Sequence, residues 1–172
     1  GYSWWKERLS KIADYFDVFR IDHILGFFRI WEIPWSAVEG TLGHFNPALS
    51  ISKEELNSRG IDFNYERLCK PYIRDYIVNE IFGEEAGEVK DNYLDRIIHG
   101  IYNLKSEFDT QRKQKDHFEI LIAQKDSKES HLTFLRSGLF RLTRDVIFIE
   151  APNSDGNTFN PNIDLYNTFS FK

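Results

Sequence analysis

Apolar residues near the start of the chain recur at steps of three and four positions. This spacing brings them onto one face of a helix, with polar residues on the opposite face. The residues of this face are Trp4, Trp5, Leu9, Ile12, Ala13 and Phe16. The pattern therefore predicts a helix over residues 3–16.

The pattern changes directly after this helix. Residues 18–22 form a short run of β-branched and aromatic residues that ends at Asp22, which predicts a buried strand. A second apolar stretch follows at 23–28 and reads as a loop. Helix, strand and loop in this order are typical of an α/β unit, and a charged residue at the carboxyl end of such a strand is where α/β proteins place their chemistry.

The middle of the chain has the spacing of successive amphipathic helices. Ser52 and Glu55 stand at capping-box distance, so a short helix is predicted to begin there and to end at Gly60. Pro71 suits the first turn of a helix, and Asp109 is a candidate N-cap. The helices predicted in this region cover 52–60, 64–69, 72–82, 91–101, 110–124 and 130–143.

The last third of the chain returns to strand patterns. Residues 146–149 form an apolar run of strand length, and the Asn-Ser-Asp-Gly-Asn sequence at 153–157 predicts a turn. Apolar and polar residues still alternate at 169–172, while Gly1 is not preceded by a methionine. We therefore expect an α/β fold and a chain that is a piece of a longer protein.

Composition and charge exclude several classes of function. The 172 residues are 41% hydrophobic, which is enough for one domain-sized core. The formal net charge of −5, with scattered basic residues, argues against a nucleic-acid partner. The single cysteine excludes an internal disulfide, and no stretch approaches the roughly 18 apolar residues of a membrane span. The composition predicts a cytoplasmic protein, and we expect it to need neither metal nor cofactor.

Asp22 is the first candidate for catalysis. On a strand, Arg20 and Asp22 point to the same face, and a nearby arginine keeps a carboxylate ionised, as a nucleophile must be. His23 could donate a hydrogen bond to a sugar hydroxyl. The alternatives are a helix cap or a surface ion pair for Asp22, and a local hydrogen-bonding role for His23.

Aromatic residues are dense after this segment. Phe28, Trp31 and Trp35 follow Asp22 within thirteen positions. The apolar face of a sugar ring stacks on aromatic side chains, so these three are candidate polysaccharide-binding residues. The alternative for such rings is core packing, because aromatic residues dominate protein cores.

The run from Phe19 to Pro34, with Gly-Tyr-Ser-Trp-Trp upstream, resembles glycoside hydrolase family 77, the amylomaltases or disproportionating enzymes. Leu25 stands where many shorter members have an arginine. Segments 43–49 and 108–112 are similar to the long subtype, which carries an insert. The resemblance therefore covers essentially the whole chain.

The resemblance implies a 4-α-glucanotransferase on a (β/α)8 barrel, with maltooligosaccharides or a glycogen-like glucan as substrate. Asp22 matches the nucleophile at the end of the fourth strand, Arg20 matches the arginine that holds it, and His23 matches a residue contacting the sugar. The implied reaction is a double displacement that retains anomeric configuration and needs no cofactor.

The organisation expected from pattern and resemblance has three parts. Residues 1–40 form a barrel segment, residues 41–145 a mainly helical insert, and residues 146–172 a return to the barrel. No segment resembles the motif that carries the second catalytic carboxylate in this family, and 159–163 departs from the expected Phe-His-Pro-Arg-Ile pattern. We therefore expect the acid/base to lie outside this chain, and the chain alone to be inactive.

Two other functions remain open from the sequence. The amphipathic helices of 41–145 are compatible with a glycan-binding or interaction module. An α-amylase-like hydrolase would also place an Arg-x-Asp at its fourth strand. The residues that continue after Asp22 and the lack of a calcium-loop pattern favour the transferase over this hydrolase. The sequence does not indicate an oligomeric state.

Overall fold

A computed structural model describes residues 2–124, 129–152 and 154–162. The chain divides into two compact units, residues 1–30 and residues 31–172. None of the helices within the described ranges is long and apolar enough to cross a membrane. The predicted polar break at 125–128 and the predicted strand at 169–172 lie outside the described residues.

The first unit contains helix α1, Ser3–Ala13, and a 3₁₀ turn, Ile24–Phe27. The predicted helix over 3–16 is thus confirmed, although it ends three residues early. None of the residues of α1 is buried. Trp4 and Trp5 pack edge to face with ring centroids 4.8 Å apart, and the Arg8 guanidinium lies 5.1 Å from the Trp4 ring. The aromatic end of α1 is therefore held by contacts within the helix.

The predicted strand over 18–22 is wrong in this structure, because these residues have no regular secondary structure. A strand is stabilised by hydrogen bonds to a neighbouring strand, not by its own sequence. Within the described residues, the paired strands are joined in three sheets, and 18–22 belongs to none of them. Its apolar pattern alone does not hold the segment in a strand.

Strand β1, Ile30–Glu32, forms a two-stranded sheet with β2, His44–Asn46. The later helices and strands, in chain order, are β3 (Ile51–Ser52), α2 (Lys53–Ser58), α3 (Tyr65–Leu68), β4 (Ile73–Arg74), α4 (Asp75–Phe82), α5 (Ala86–Tyr93), β5 (Leu94–Ile98), β6 (Ile101–Leu104), α6 (Gln111–Gln124), α7 (Glu129–Arg144), β7 (Phe148–Glu150) and β8 (Thr158–Pro161).

Local signals located several of these helices correctly. The Ser52 side chain accepts a hydrogen bond from the Glu55 backbone N–H at 3.1 Å, as the predicted capping box requires. The predicted helices over 64–69, 110–124 and 130–143 are confirmed as α3, α6 and α7. At α6, however, Thr110 rather than Asp109 is the cap, since its hydroxyl accepts from the Lys113 N–H at 3.3 Å. Helix caps of this kind satisfy backbone donors locally.

One helix prediction in the middle of the chain is wrong, and another is confirmed with a later start. Instead of a helix over 91–101, α5 ends at Tyr93 and an antiparallel hairpin of β5 and β6 follows, with Ile98 opposite Ile101. Gly100 in the turn has φ +76°, a conformation that glycine adopts without strain. An apolar run this short fits a helix or a strand equally well by spacing.

The helix predicted over 72–82 begins at Asp75, so Pro71 is not in its first turn. The preceding pair, Ile73 and Arg74, forms β4, which is antiparallel to β6. These two residues pair with Tyr102 and Ile101 across the sheet. The hydrogen bonds of that pairing replace the first helical turn that the sequence pattern favoured.

The larger core lies between this sheet and the surrounding helices. Val78, Val89, Phe118 and Leu139 are completely buried there. They come from α4, α5, α6 and α7. The buried members of this cluster are Ile73, Val78, Phe82, Ala86, Val89, Tyr93, Leu94, Phe118, Leu132, Leu135, Leu139 and Leu142. The amphipathic faces predicted from the sequence are thus buried against one another.

A smaller core joins segments far apart in the sequence. Strands β3, β8 and β7 form an antiparallel sheet in which Ile51 lies opposite Phe159. Phe159 is completely buried and packs against Phe63, with the two ring centroids 4.4 Å apart. The predicted strand at 146–149 is confirmed, two residues later, as β7. Asp155 and Gly156, with φ 48° and 71°, lie in the predicted turn before β8.

The fold is a mixture of helices and sheets, as the α/β prediction requires. The neighbouring strands of the β3–β8–β7 sheet and of the β4–β6–β5 sheet are antiparallel, whereas the strands of a (β/α)8 barrel are parallel. Helices predominate between 41 and 145, yet this range also contains all three strands of the β4–β6–β5 sheet. The barrel and the three-part division of the chain stay predictions.

Gly138 on α7 provides a test of the larger core. A Cβ added there would overlap the Phe82 ring, with Cζ at 2.5 Å, so Gly138→Ala should lower the free energy of unfolding by about 1–3 kcal/mol. Gly87→Ala is the matched control, because a Cβ there meets nothing within 4 Å and alanine favours the helix. Denaturant unfolding of the parent chain and of both variants would measure the change in the free energy of unfolding. A Gly138→Ala chain as stable as the parent chain would contradict the close packing of α7 on α4.

Candidate active site

Arg20 and Asp22 form a direct ion pair in the first unit. Arg20 Nε lies 2.5 Å from Asp22 Oδ1, and the two side chains are 88% and 75% exposed. The predicted contact is therefore present without the predicted strand. An ion pair this exposed adds little to stability, because water screens it. The carboxylate is accessible to a ligand while an arginine holds one of its oxygens.

His23 is held by its neighbour Gly26. The residue precedes the 3₁₀ turn, and its carbonyl accepts a hydrogen bond from the Gly26 N–H at 3.1 Å. A Cβ on Gly26 would lie 3.0 Å from His23 Cδ2, so the imidazole covers the glycine. The ring remains exposed. The absence of a side chain at Gly26 therefore allows the imidazole to fold over the turn.

Phe28 ends this turn with its ring largely in solvent. Its backbone N–H donates to the Leu25 carbonyl at 3.0 Å, while the residue is 66% exposed. Core packing does not account for a ring this exposed. Phe28 is thus available as a stacking surface within the first unit.

Trp31 lies in the second unit, on β1. Its indole Nε1 donates to the Gly40 carbonyl at 3.0 Å, and its ring packs edge to face on Phe45 with centroids 4.9 Å apart. A Cβ on Gly43 would lie 2.6 Å from Trp31 Cε2 and 2.9 Å from the Glu32 carbonyl oxygen. The indole is 40% exposed, so it has a structural role on one side and an open surface on the other.

Trp35 is the most exposed of the predicted aromatic residues, at 82%. The Arg112 guanidinium lies 4.6 Å from its ring centroid, and Arg112 Nε donates to the Trp35 carbonyl at 3.2 Å. Sequence reasoning did not find Arg112. Its only sequence signal was its place in the 108–112 segment that resembles the family.

A buried polar group that sequence reasoning also missed lies beside Trp31. His44 is 7% exposed, and its Nε2 is 3.7 Å from Glu32 Oε2. The other oxygen of Glu32 accepts from Asn46 Nδ2 at 2.7 Å. Neither ring nitrogen of His44 has a hydrogen bond within the part of the chain that is described. The signal in the sequence was the polar pair His-x-Asn between Gly43 and Pro47.

The second unit also contains an open cavity of about 600 Å³. Tyr65 and Glu150 line it, and the Tyr65 hydroxyl donates to Glu150 Oε2 at 3.1 Å. Cys69 lines it too, and burial together with the negative charge of Glu150 raises the pKa of its thiol to about 11. Such a thiol is neutral near pH 7 and is a poor nucleophile. The Cys69 thiol is therefore not a candidate nucleophile.

No group of three or more His, Cys, Asp or Glu side chains among the described residues is arranged to hold a metal ion. Of the predicted site residues, Arg20 and Asp22 are in direct contact and His23 follows them in the first unit. Trp31 and Trp35 belong to the second unit, where each has its own polar partner.

Comparison with known proteins identifies the family. Residues 1–132 match the family model of glycoside hydrolase family 77, described as 4-alpha-glucanotransferase. The chain belongs to this family. Membership confirms the resemblance seen in the run that follows Phe19, and it disfavours the α-amylase-like alternative.

Relatives within the 4-alpha-glucanotransferase family cover the chain to different extents. The 4-alpha-glucanotransferase DPE2 of Oryza sativa subsp. japonica is 37% identical over 176 residues, which are 99% of this chain and 18% of the relative. The 4-alpha-glucanotransferase of Chlamydia pneumoniae is 57% identical over 30 residues, 17% of this chain and 6% of the relative. The chloroplastic/amyloplastic enzyme of Solanum tuberosum is 42% identical over 45 residues, 26% of this chain and 8% of the relative. No solved structure matches the chain.

The chain thus spans less than a fifth of its rice relative in the 4-alpha-glucanotransferase family, at 18% of that protein's length. The exposed pair of Arg20 and Asp22 lies within the part of the chain that matches the family model.

Gly43→Ala tests the contact that orients Trp31. The added methyl would overlap the indole and the Glu32 carbonyl, so the hydrogen bond from Trp31 Nε1 to Gly40 should break. The indole N–H resonance of Trp31, assigned by its loss in Trp31→Phe, should then shift upfield in a ¹⁵N-resolved spectrum. Gly40→Ala is the control, since its Cβ would meet Trp31 Nε1 only at 3.9 Å. An unmoved resonance in Gly43→Ala would contradict this packing.

Cys69 should react slowly with iodoacetamide in the folded chain. Raising its pKa from 9.0 to about 11 lowers the thiolate fraction near pH 8 roughly a hundredfold relative to the unfolded chain. The raised pKa contributes stability that is present below pH 9 and is lost as pH rises towards 11. Mass spectrometry of the single cysteine, with and without guanidinium, gives both rates. Equal rates in the two conditions would show that the thiol is not protected.

Proposed function

We propose that the protein containing this chain is a 4-α-glucanotransferase. It transfers α-1,4-glucan segments or glucosyl units between maltooligosaccharides or a glycogen-like glucan. The observation that carries the proposal is the exposed ion pair of Arg20 and Asp22 in a chain of this family, with Nε and Oδ1 2.5 Å apart. The names of the relatives support the same activity.

In the proposed mechanism, the Asp22 carboxylate attacks the anomeric carbon of the donor glucan. The bond from this carbon to the leaving 4-oxygen breaks, and a second carboxyl group protonates that oxygen. The result is a glucosyl ester on Asp22 with inverted configuration. The 4-hydroxyl of an acceptor glucan then attacks the same carbon, gives its proton to the second carboxylate and releases Asp22, so the overall configuration is retained.

The second carboxyl group has to lie about 5 Å from Asp22 in a retaining enzyme. We assign this role to a residue outside the chain, because no segment here resembles the family's acid/base motif. The 18% coverage of the rice relative is compatible with that assignment. The chain by itself is then expected to catalyse no transfer.

Arg20 supports the nucleophile electrostatically. In water the pair is screened, but a bound glucan displaces water and lowers the local dielectric, which strengthens the attraction between the two side chains. The arginine then holds one oxygen of Asp22 and leaves the second oxygen free to approach the anomeric carbon. His23, whose imidazole is exposed beside Asp22, is proposed to donate to a hydroxyl of the sugar at the cleavage point.

Phe28, Trp31 and Trp35 are proposed to stack on glucose units of the substrate. Their exposed fractions of 66%, 40% and 82% leave ring surface free for such contacts. In the longer protein, residues 18–22 are proposed as the fourth strand of a (β/α)8 barrel, where neighbouring strands would supply the missing hydrogen bonds. The proposed division then has barrel segments at 1–40 and 146–172 and an insert at 41–145.

Asp22→Asn in the full-length protein tests the proposed function. The amide cannot form the glucosyl ester, so redistribution of maltotriose into longer and shorter chains should fall at least about a thousandfold. The measurement is chain-length analysis by chromatography together with glucose release. Asp17→Asn is the matched control, since this aspartate is also exposed on the same segment and has no assigned role.

Unchanged redistribution by Asp22→Asn would remove this residue from the chemistry. If the variant instead kept glucan affinity and the parent protein showed no turnover, the glycan-binding alternative would be the better account. Trapping of a glucosylated peptide that contains Asp22, after acid quenching of the parent protein with its donor, would support the covalent step directly.

A further inference from the structure

The first turn of α6 fastens a distant segment of the chain, residues 35–39. The Gln111 side chain is completely buried, and its Oε1 accepts hydrogen bonds from the Val38 and Glu39 backbone N–H groups, both at 2.9 Å. Its Nε2 donates to Glu39 Oε2 at 2.8 Å and to the Phe140 carbonyl at 3.3 Å. A single buried amide therefore joins residues 38 and 39 to α6 and α7.

Arg112, the next residue, holds the other end of the segment. Its backbone N–H donates to the Ser36 carbonyl at 2.9 Å, and its side chain donates to the Trp35 and Ala37 carbonyls at 3.2 and 3.5 Å. The same guanidinium lies 4.6 Å from the centroid of the Trp35 ring. Arg112 thus fixes both the main chain and the indole of Trp35.

A contact from α7 completes the attachment. Arg144 Nη1 lies 3.2 Å from Glu39 Oε1, while the other oxygen of Glu39 accepts from Gln111. Both carboxylate oxygens of Glu39 are therefore bound. The segment is fastened at Trp35, in its middle and at Glu39.

The exposure of Trp35 indicates that the contacts of Gln111, Arg112 and Arg144 with residues 35–39 do more than stabilise the fold. The main chain is tied down, yet 82% of the residue is in solvent, so little apolar area is buried in return. The guanidinium covers one face of the indole, and the opposite face is open. A large apolar ring that is held in place and left exposed is suited to bind a ligand, because its ordering cost is met before binding.

We propose that Gln111 and Arg112 are positioning residues that hold Trp35 as a stacking platform for a glucose unit of the substrate. The proposal rests on the proposed function, since it takes an α-1,4-glucan as the ligand. Helix α6 then contributes to glucan binding without touching the reacting atoms. The 108–112 segment has no part in the proposed catalytic steps. Through the contacts of Arg112 with Trp35, it takes part in glucan binding.

A positioning role predicts an effect on binding and not on chemistry. Arg112→Ala should raise KM and the dissociation constant for maltoheptaose on the order of fivefold, with kcat nearly unchanged, through loss of the cation–π contact and of the carbonyl hydrogen bonds. Arg112→Lys keeps the charge but not the planar fork, so its effect should be smaller. Lys113→Ala is the control. Lys113 lies on α6 next to Arg112 and pairs with Asp109 at 2.7 Å, so its substitution should leave KM and the dissociation constant unchanged.

The deciding experiment is a double-mutant cycle in the full-length protein. Trp35→Ala, Arg112→Ala and the double variant are titrated with maltoheptaose by calorimetry, and KM and kcat are measured for each. If Arg112 acts through Trp35, the double variant should bind no more weakly than Trp35→Ala alone. Thermal unfolding checks that each variant is folded, and Arg112→Lys takes the place of Arg112→Ala in the cycle if the latter is not.

Additive losses in the cycle would overturn the proposal, as would unchanged glucan affinity in Trp35→Ala. A fall in kcat at constant KM for Arg112→Ala would also overturn it, because that result would place Arg112 in the chemistry. Failure of the proposed function has a separate signature, since either Asp22→Asn would keep the turnover of the parent protein or the parent protein would show none. The calorimetric cycle remains decisive in that case, because it measures affinity alone.

Discussion

The buried amide of Gln111 is the interaction on which the arrangement of the second unit depends most. It satisfies the backbone of Val38 and Glu39 and reaches the carbonyl of Phe140, so three distant parts of the chain meet at one side chain. An amide has both donors and acceptors, and an apolar side chain of the same size would leave these buried groups without partners. The helical part of the unit and the segment that bears Trp35 are held together in this way.

The first unit has a different physical character. Its helix buries none of its residues, and the Arg20–Asp22 pair stands in solvent. Exposed ion pairs contribute little to folding, so this pair adds little to the stability of the first unit and leaves its carboxylate accessible, as the proposed mechanism requires.

Sequence patterns predicted secondary structure correctly where contacts between residues a few positions apart determine it. The Ser52 cap, the helices α6 and α7 and the strand β7 follow from hydrogen-bonding side chains and apolar spacing a few residues apart. The sequence patterns gave a wrong prediction at 91–101, where a helix was expected, and at 18–22, where a strand was expected. There the outcome depends on pairing: β5 turns back on β6 through Gly100, and residues 18–22 have no neighbouring strand among those described.

The sequence by itself determined the family and identified Asp22, Arg20 and the exposed tryptophans as candidates, because specific residues at fixed spacing carry that information. Only the tertiary structure decided which distant residues contact Trp35 and the segment that bears it. Gln111 and Arg112 are more than 70 positions from the segment they hold. Neither residue type nor local spacing predicts such contacts, since a buried amide and a guanidinium find their partners only when α6 and α7 pack together.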